Sequence, residues 1–215
     1  MEQPLATLDA ERAWGVIVAE RRGLADLLAG LAPAQWEGPS LCTRWRIRDV
    51  AAHLALVPHP PSALSLALGA VRARGSFHRL NEETARRHAA IGPDAIVAEL
   101  REHAESRKVP VVSNADNVLF DILVHGQDIA VPLGIDRPMD LEAARAGADR
   151  VWAMGWPFHA RRRLAGLRLV ATDIAWARGT GLEVRGPIRA HLLALTGRPA
   201  ARRELSGPGT EHLPL

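Results

Sequence analysis

A single cysteine, Cys42, stands among the 215 residues. No internal disulfide can form, and a reducing cytoplasm fits this usage. Lysine is almost missing too: Lys108 is the only one, so arginine carries the positive charge. Net charge is just +3, and the arginines are scattered with acids beside them, as in "ERRGLAD" and "REHAESR". The clustered basic stripe of a nucleic-acid binder is absent. The densest basic run, "HARRRL" at 159–164, reads as a solvated connector. No stretch of about 18 apolar residues exists, which excludes a membrane-spanning helix. The start, "MEQPLATLDAERAW", lacks the basic region and apolar stretch of a signal peptide. There is no internal repeat and no low-complexity tract. What is there, 47% hydrophobic and 24% charged residues, is the composition of an ordinary globular chain with a sizeable core.

Helical periodicity dominates the first three quarters. Trp14, Ile17, Leu24, Leu27, Leu28 and Leu31 recur at helical spacing, which predicts a helix over about 7–31. After the loop "APAQWEGPSLCTRW", a second helix is expected at about 46–57, with Ile47, Val50, Leu54 and Val57 as its stripe and Pro58 as its stop. Residues 60–90 read as helix interrupted at Gly69 and Gly75; Pro93 opens a helix to about Arg107; further helices are expected at 112–131 and 140–156. Beyond Pro157 the period changes. "GLRLVAT" alternates, and "IAWARG" and "LEVRG", joined at 179–181, read as paired strands. Pro187 in a first turn and Gly197 past the end bracket a last helix. The reading is α+β: a helical bundle over 1–157 and a small C-terminal α/β domain over 158–215.

The stretch "FDILVHGQDI" (120–129) puts chemistry on an apolar helix. Val118, Ile122, His125 and Ile129 share a stripe, and Asp121 projects about 40° from His125, since i and i+4 lie on one face. His53 flanks the stripe of the second helix. Two imidazoles and a carboxylate suit zinc and other borderline divalent ions, and three protein ligands with one open position is the catalytic form of such a site. The same spacing also describes a surface ion pair and a hydrogen-bonded core histidine. Asp128, three residues on from His125, is either an acceptor that orients the His125 ring or a surface cap.

The segments "WRIRDVAAHLA" (45–55), "FDILVHGQDIAVPLG" (120–134) and "GLRLVATDIAWARGTGLEVRGPIRAHLLALTGR" (166–198) resemble, in order, the mycothiol-dependent maleylpyruvate isomerase family of the DinB-like metal-binding superfamily. The resemblance implies a DinB-like four-helix bundle followed by a small α/β domain. It also implies a divalent metal, zinc or nickel, held by His53, Asp121 and His125. The isomerase has Glu where this chain has Asp121, one methylene shorter. Arg46 stands where relatives carry Thr or Ser at a helix N-cap, so that cap must come from elsewhere.

The implied chemistry is activation of mycothiol, a low-molecular-weight thiol, for addition to a small electrophile, as a thiol transferase or a cis–trans isomerase. The alternative is a non-catalytic DinB-like metal- or ligand-binding protein; a fourth ligand from Cys42 or His59 favours it. Arg198, after Gly197 in the C-terminal segment, is the candidate catalytic residue that holds a substrate carboxylate. Cys42 is read as a lone, partly buried thiol and not a ligand. Trp14, Trp36 and Trp45 are read as packing. The partners expected are the thiol and its electrophile, with no nucleic acid or membrane, in a cytoplasmic monomer or homodimer.

Overall fold

A computed structural model describes residues 4–58, 77–109 and 113–215. Its helices are α1 (Ala10–Ala29), the one-turn α2 (Pro33–Trp36), α3 (Ile47–Leu56), α4 (Phe77–Ala89), α5 (Pro93–Glu102), α6 (Ala115–Ala130), α7 (Leu141–Ala153), the short α8 (Ala160–Arg163) and α9 (Ile188–Leu195). Strands β1 (Leu167–Ala171), β2 (Ala177–Gly179) and β3 (Leu182–Gly186) lie between α8 and α9. The class is α+β, as the sequence pattern indicates. The interruptions expected at Gly69 and Gly75 lie outside the described residues.

Two compact units divide the chain: 1–16, 119–124 and 138–215 form one, and 17–118 with 125–137 form the other. The change from helix to strand falls where the composition shifts, but the units are not consecutive pieces of chain.

In the second unit, Ile17, Leu24 and Leu28 of α1 are fully buried, as are Ile47, Val50 and Leu54 of α3 to within 3%. Each such side chain stabilises the fold by about 1.5–3 kcal/mol. The start of α3 is held without a capping hydroxyl. Asp49 Oδ2 accepts the backbone N–H of Arg46 at 3.0 Å, and the Arg46 guanidinium returns two bonds to the same carboxylate. Asp49 is fully buried; burial pushes its carboxyl upward, but the Arg46 hydrogen bonds outweigh this and hold it below the usual range. The other half of α6 also packs here. A Cβ on Gly126 would meet Arg137 Nε at 3.3 Å and Leu24 Cδ1 at 3.4 Å, so a small residue lets α6 approach α1. Helix α5 stops at Glu102 rather than Arg107, and Arg21 Nη1 donates to the carbonyls of His103, Ala104 and Ser106 in the segment that follows.

In the first unit, the sheet order is β2-β1-β3, with β2 antiparallel and β3 parallel to β1. The two expected partners, β2 and β3, therefore do not pair with each other; β1 lies between them. The Gly-Thr-Gly link crosses the start of β1. A Cβ on Gly181 would lie 1.9 Å from the Gly166 carbonyl oxygen, and φ there is +126°, so the crossing requires glycine. Pro187 is the N-cap of α9 and not its first-turn residue; the Ile188 N–H donates to Asp173 Oδ1 at 2.8 Å. The run at 159–164 includes helix α8, where Arg161 and Arg162 are exposed but Arg163 donates to the carbonyls of Ala194 and Leu195. That residue caps α9 and is no solvated connector.

Candidate metal centre

Helix α6 begins at Asn114, whose side chain accepts the Asn117 N–H. Val118, Ile122 and Ile129 are buried to within 4%, so the apolar stripe is the one the spacing gives. Asp121 and the His125 ring sit at its margin, the His125 side chain 12% exposed. On α3, His53 is half-buried beside buried Val50 and Leu54. One ligand atom each from His53, Asp121 and His125 lie within 4.8 Å of one another. The ring centroids of His53 and His125 are 5.0 Å apart at 74°.

The buried carboxylate of Asp128, 0% exposed, sets the orientation of His125. Its Oδ2 lies 2.8 Å from His125 Nδ1. A metal-ligating histidine is ordinarily held this way, by an acceptor on its other nitrogen. Two imidazoles, one of them so fixed, and one carboxylate form a donor set that fits a borderline divalent ion. Of the two alternatives for Asp128, the structure has the orienting one.

Two residues near this group did not stand out in the sequence. Trp45 does not simply pack the core: its ring is stacked on His125 with centroids 6.1 Å apart and planes 7° apart, and meets His53 edge-on at 5.4 Å. Trp14 and Trp36 are buried. Cys42 is not a lone thiol. Its Sγ donates to Asp128 Oδ2 at 3.0 Å and lies 3.7 Å from His125 Nδ1. Cys42 thus belongs with the far nitrogen of His125 and not with His53 and Asp121, and His59 lies outside the described residues. No periodicity marks either residue, because both sit on the irregular loop before α3.

Arg198 lies past the end of α9, before a 3-10 turn at Pro199–Glu204. Its Nη1 donates to the Thr196 carbonyl at 2.9 Å. Among the remaining histidines, His191 is fully buried, with Nε2 on the Val170 carbonyl at 2.9 Å; burial pushes it down to about 4, against smaller raising effects from Val170, Asp173 and Gly186. His88 is paired with Glu99 at 2.6 Å.

Residues 17–116 match the family model of the mycothiol maleylpyruvate isomerase N-terminal domain. The crystal structure of the mycothiol-dependent maleylpyruvate isomerase is similar over 94% of both chains, with a TM-score of 0.63 and 15% identity. A histidine-to-alanine mutant of that isomerase is similar over the same share, with a TM-score of 0.64 and 15% identity. No curated protein sequence matches the chain. Residues 17–116 therefore resemble a mycothiol maleylpyruvate isomerase N-terminal domain, and the chain has an α+β fold shared along nearly its whole length with the mycothiol-dependent maleylpyruvate isomerase.

Proposed function

We propose that the protein is a metal-dependent enzyme that uses a low-molecular-weight thiol, mycothiol, against a small electrophile, as an S-transferase or a cis–trans isomerase. The observation that carries this reading is the convergence of His53, Asp121 and His125 within 4.8 Å from two separate helices, in a chain with this family match. These three residues would hold the ion, zinc or nickel. When bound, such an ion supplies a Lewis acid that favours the thiolate form of a thiol.

The protein's own part is binding and orientation. His125 is fixed by Asp128, and Trp45 lies against both imidazoles, giving an apolar wall beside the ligand group. Three protein ligands leave room for a small molecule, whereas a purely structural zinc takes four; Cys42 is grouped with Asp128 instead. A thiol sulfur that adds across an activated double bond turns it into a single bond, which rotates. Expulsion of the sulfur then gives the trans isomer; its retention gives a thioether. Arg198 is proposed to hold a substrate carboxylate through its guanidinium fork. Among the described residues no helix is long and apolar enough to cross a membrane, and the cytoplasm is the proposed site of action.

Mycothiol offered with a panel of cis-unsaturated and alkylating electrophiles tests the reading. Consumption of one electrophile that depends on both thiol and metal, and is lost in His125→Ala, supports it. Metal-loaded protein that consumes none of them would favour the non-catalytic binding protein.

A further inference from the structure

The loop between α2 and α3 is built to present one thiol to one carboxylate. Its ends are tied together: Pro39 and Arg46 form an antiparallel bridge, and the Ile47 N–H donates to the Gly38 carbonyl at 2.9 Å. Ser40 organises the interior, its Oγ accepting the Cys42 N–H at 3.1 Å and donating to the Trp45 carbonyl at 2.8 Å. Arg44 adopts φ +71°, a left-handed conformation uncommon for a side chain of its kind. The backbone of the loop is also fastened to α6: the Leu41 N–H donates to the backbone carbonyl of Asp128 at 3.1 Å. Next in the chain, the Cys42 thiol reaches the side chain of that same Asp128.

We propose that Cys42 is a positioning residue for the His125 ligand: its S–H and the His125 Nδ1–H converge on Asp128 Oδ2, and the thiol holds the carboxylate that fixes the ring. A buried carboxylate needs donors for its lone pairs. Removal of the thiol takes away one of the donors on the oxygen that meets His125 Nδ1, and the ring is held less firmly. The thiol acts through Asp128, not on the ion. If Cys42, His125 and Asp128 themselves enclosed a cation, tetrahedral ligation would spread the donor pairs to about 3.3–3.6 Å. The observed 2.8 Å between Nδ1 and Oδ2 and 3.0 Å between Sγ and Oδ2 are hydrogen-bond lengths.

The proposal rests on the metal-ligand reading of His125, and its test has a readout that needs no metal. Imidazole nitrogen NMR of the metal-free protein, at a pH where the ring is neutral, reports the tautomer of His125. Wild type should show one tautomer, protonated at Nδ1. Cys42→Ala should show exchange between tautomers, and Cys42→Ser, which keeps a donor, should restore the single form. Zinc affinity, measured by competition with a chelator, should fall about tenfold in Cys42→Ala, the low end for outer hydrogen-bond partners, and recover in Cys42→Ser. Circular dichroism establishes that each variant is folded. An unchanged tautomer in folded Cys42→Ala would overturn the proposal. So would a sulfur-to-cobalt charge-transfer band in the cobalt-loaded wild type that disappears in Cys42→Ser, because the thiol would then be a ligand. A wild type that binds no metal would defeat the functional reading, while the tautomer would still decide the role of Cys42.

Discussion

Two aspartates, each almost without solvent exposure, do opposite work in the two units. Asp149, 1% exposed, is saturated by donors that fix chain to chain. Arg178 forks onto both of its oxygens at 2.7 Å, Trp176 Nε1 donates at 2.7 Å and the Ala6 N–H at 2.6 Å. The Arg178 Nη2 also reaches the Pro4 carbonyl, so the buried pair staples the N-terminal segment to α7 and β2. Asp128, 0% exposed, meets an imidazole and a thiol. The first carboxylate faces a permanent cation and serves the fold. The second faces His125, a metal ligand in the function proposed above. Burial alone does not distinguish a structural acid from a functional one; the chemistry of its donors does.

Substitution should separate the two. Asp149→Ala leaves the Arg178 charge buried without its partner and should cost about 3–5 kcal/mol in urea unfolding, with metal content per folded molecule unchanged. Asp128→Asn should lower metal affinity by about 10–100-fold with a much smaller loss of stability. If the two variants exchanged these phenotypes, the contrast would be wrong.

The unit that holds Asp149 also contains a pH-sensitive group that takes no part in the site. His191 stays neutral in the fold down to about 4, whereas an unfolded chain protonates histidine near 6.5. Below 6.5 the unfolded state binds the extra proton, so this contribution is complete above pH 6.5 and is lost as pH falls toward 4. At its full extent it amounts to about 3 kcal/mol. The wild-type urea midpoint should fall over that window, and the fall should flatten in His191→Gln. The Asp49 carboxyl, held below its usual range, acts in a lower window and leaves this comparison intact.

The two regions also differed in how much their sequences disclosed. Where side chains repeat at helical spacing, the arrangement was legible: Val118, Ile122 and Ile129 are buried as a stripe, and Asp121 and His125 share its edge. His53 could be placed because one histidine flanked one apolar stripe. Cys42 and Trp45 could not, because a loop has no period, and its fastening to Asp128 depends on backbone bonds. The strand order escaped for a similar reason. Alternation identified the strands, but it does not say which strand is central, and a Gly-Thr-Gly link looks like a hairpin turn until the carbonyl of Gly166 is seen to lie under it. At the start of α3 the Asp49 carboxylate accepts the Arg46 backbone N–H, an acceptor that only the folded geometry reveals.

The measurement that bears most directly on the central claim is the metal content of the purified protein by elemental analysis, after reconstitution with zinc and with nickel. The account predicts close to one divalent ion per wild-type chain, lost in His53→Ala and in His125→Ala. A folded wild type that retains neither ion after reconstitution would contradict it, and the acid and two imidazoles would then be a hydrogen-bonded cluster at a helix edge.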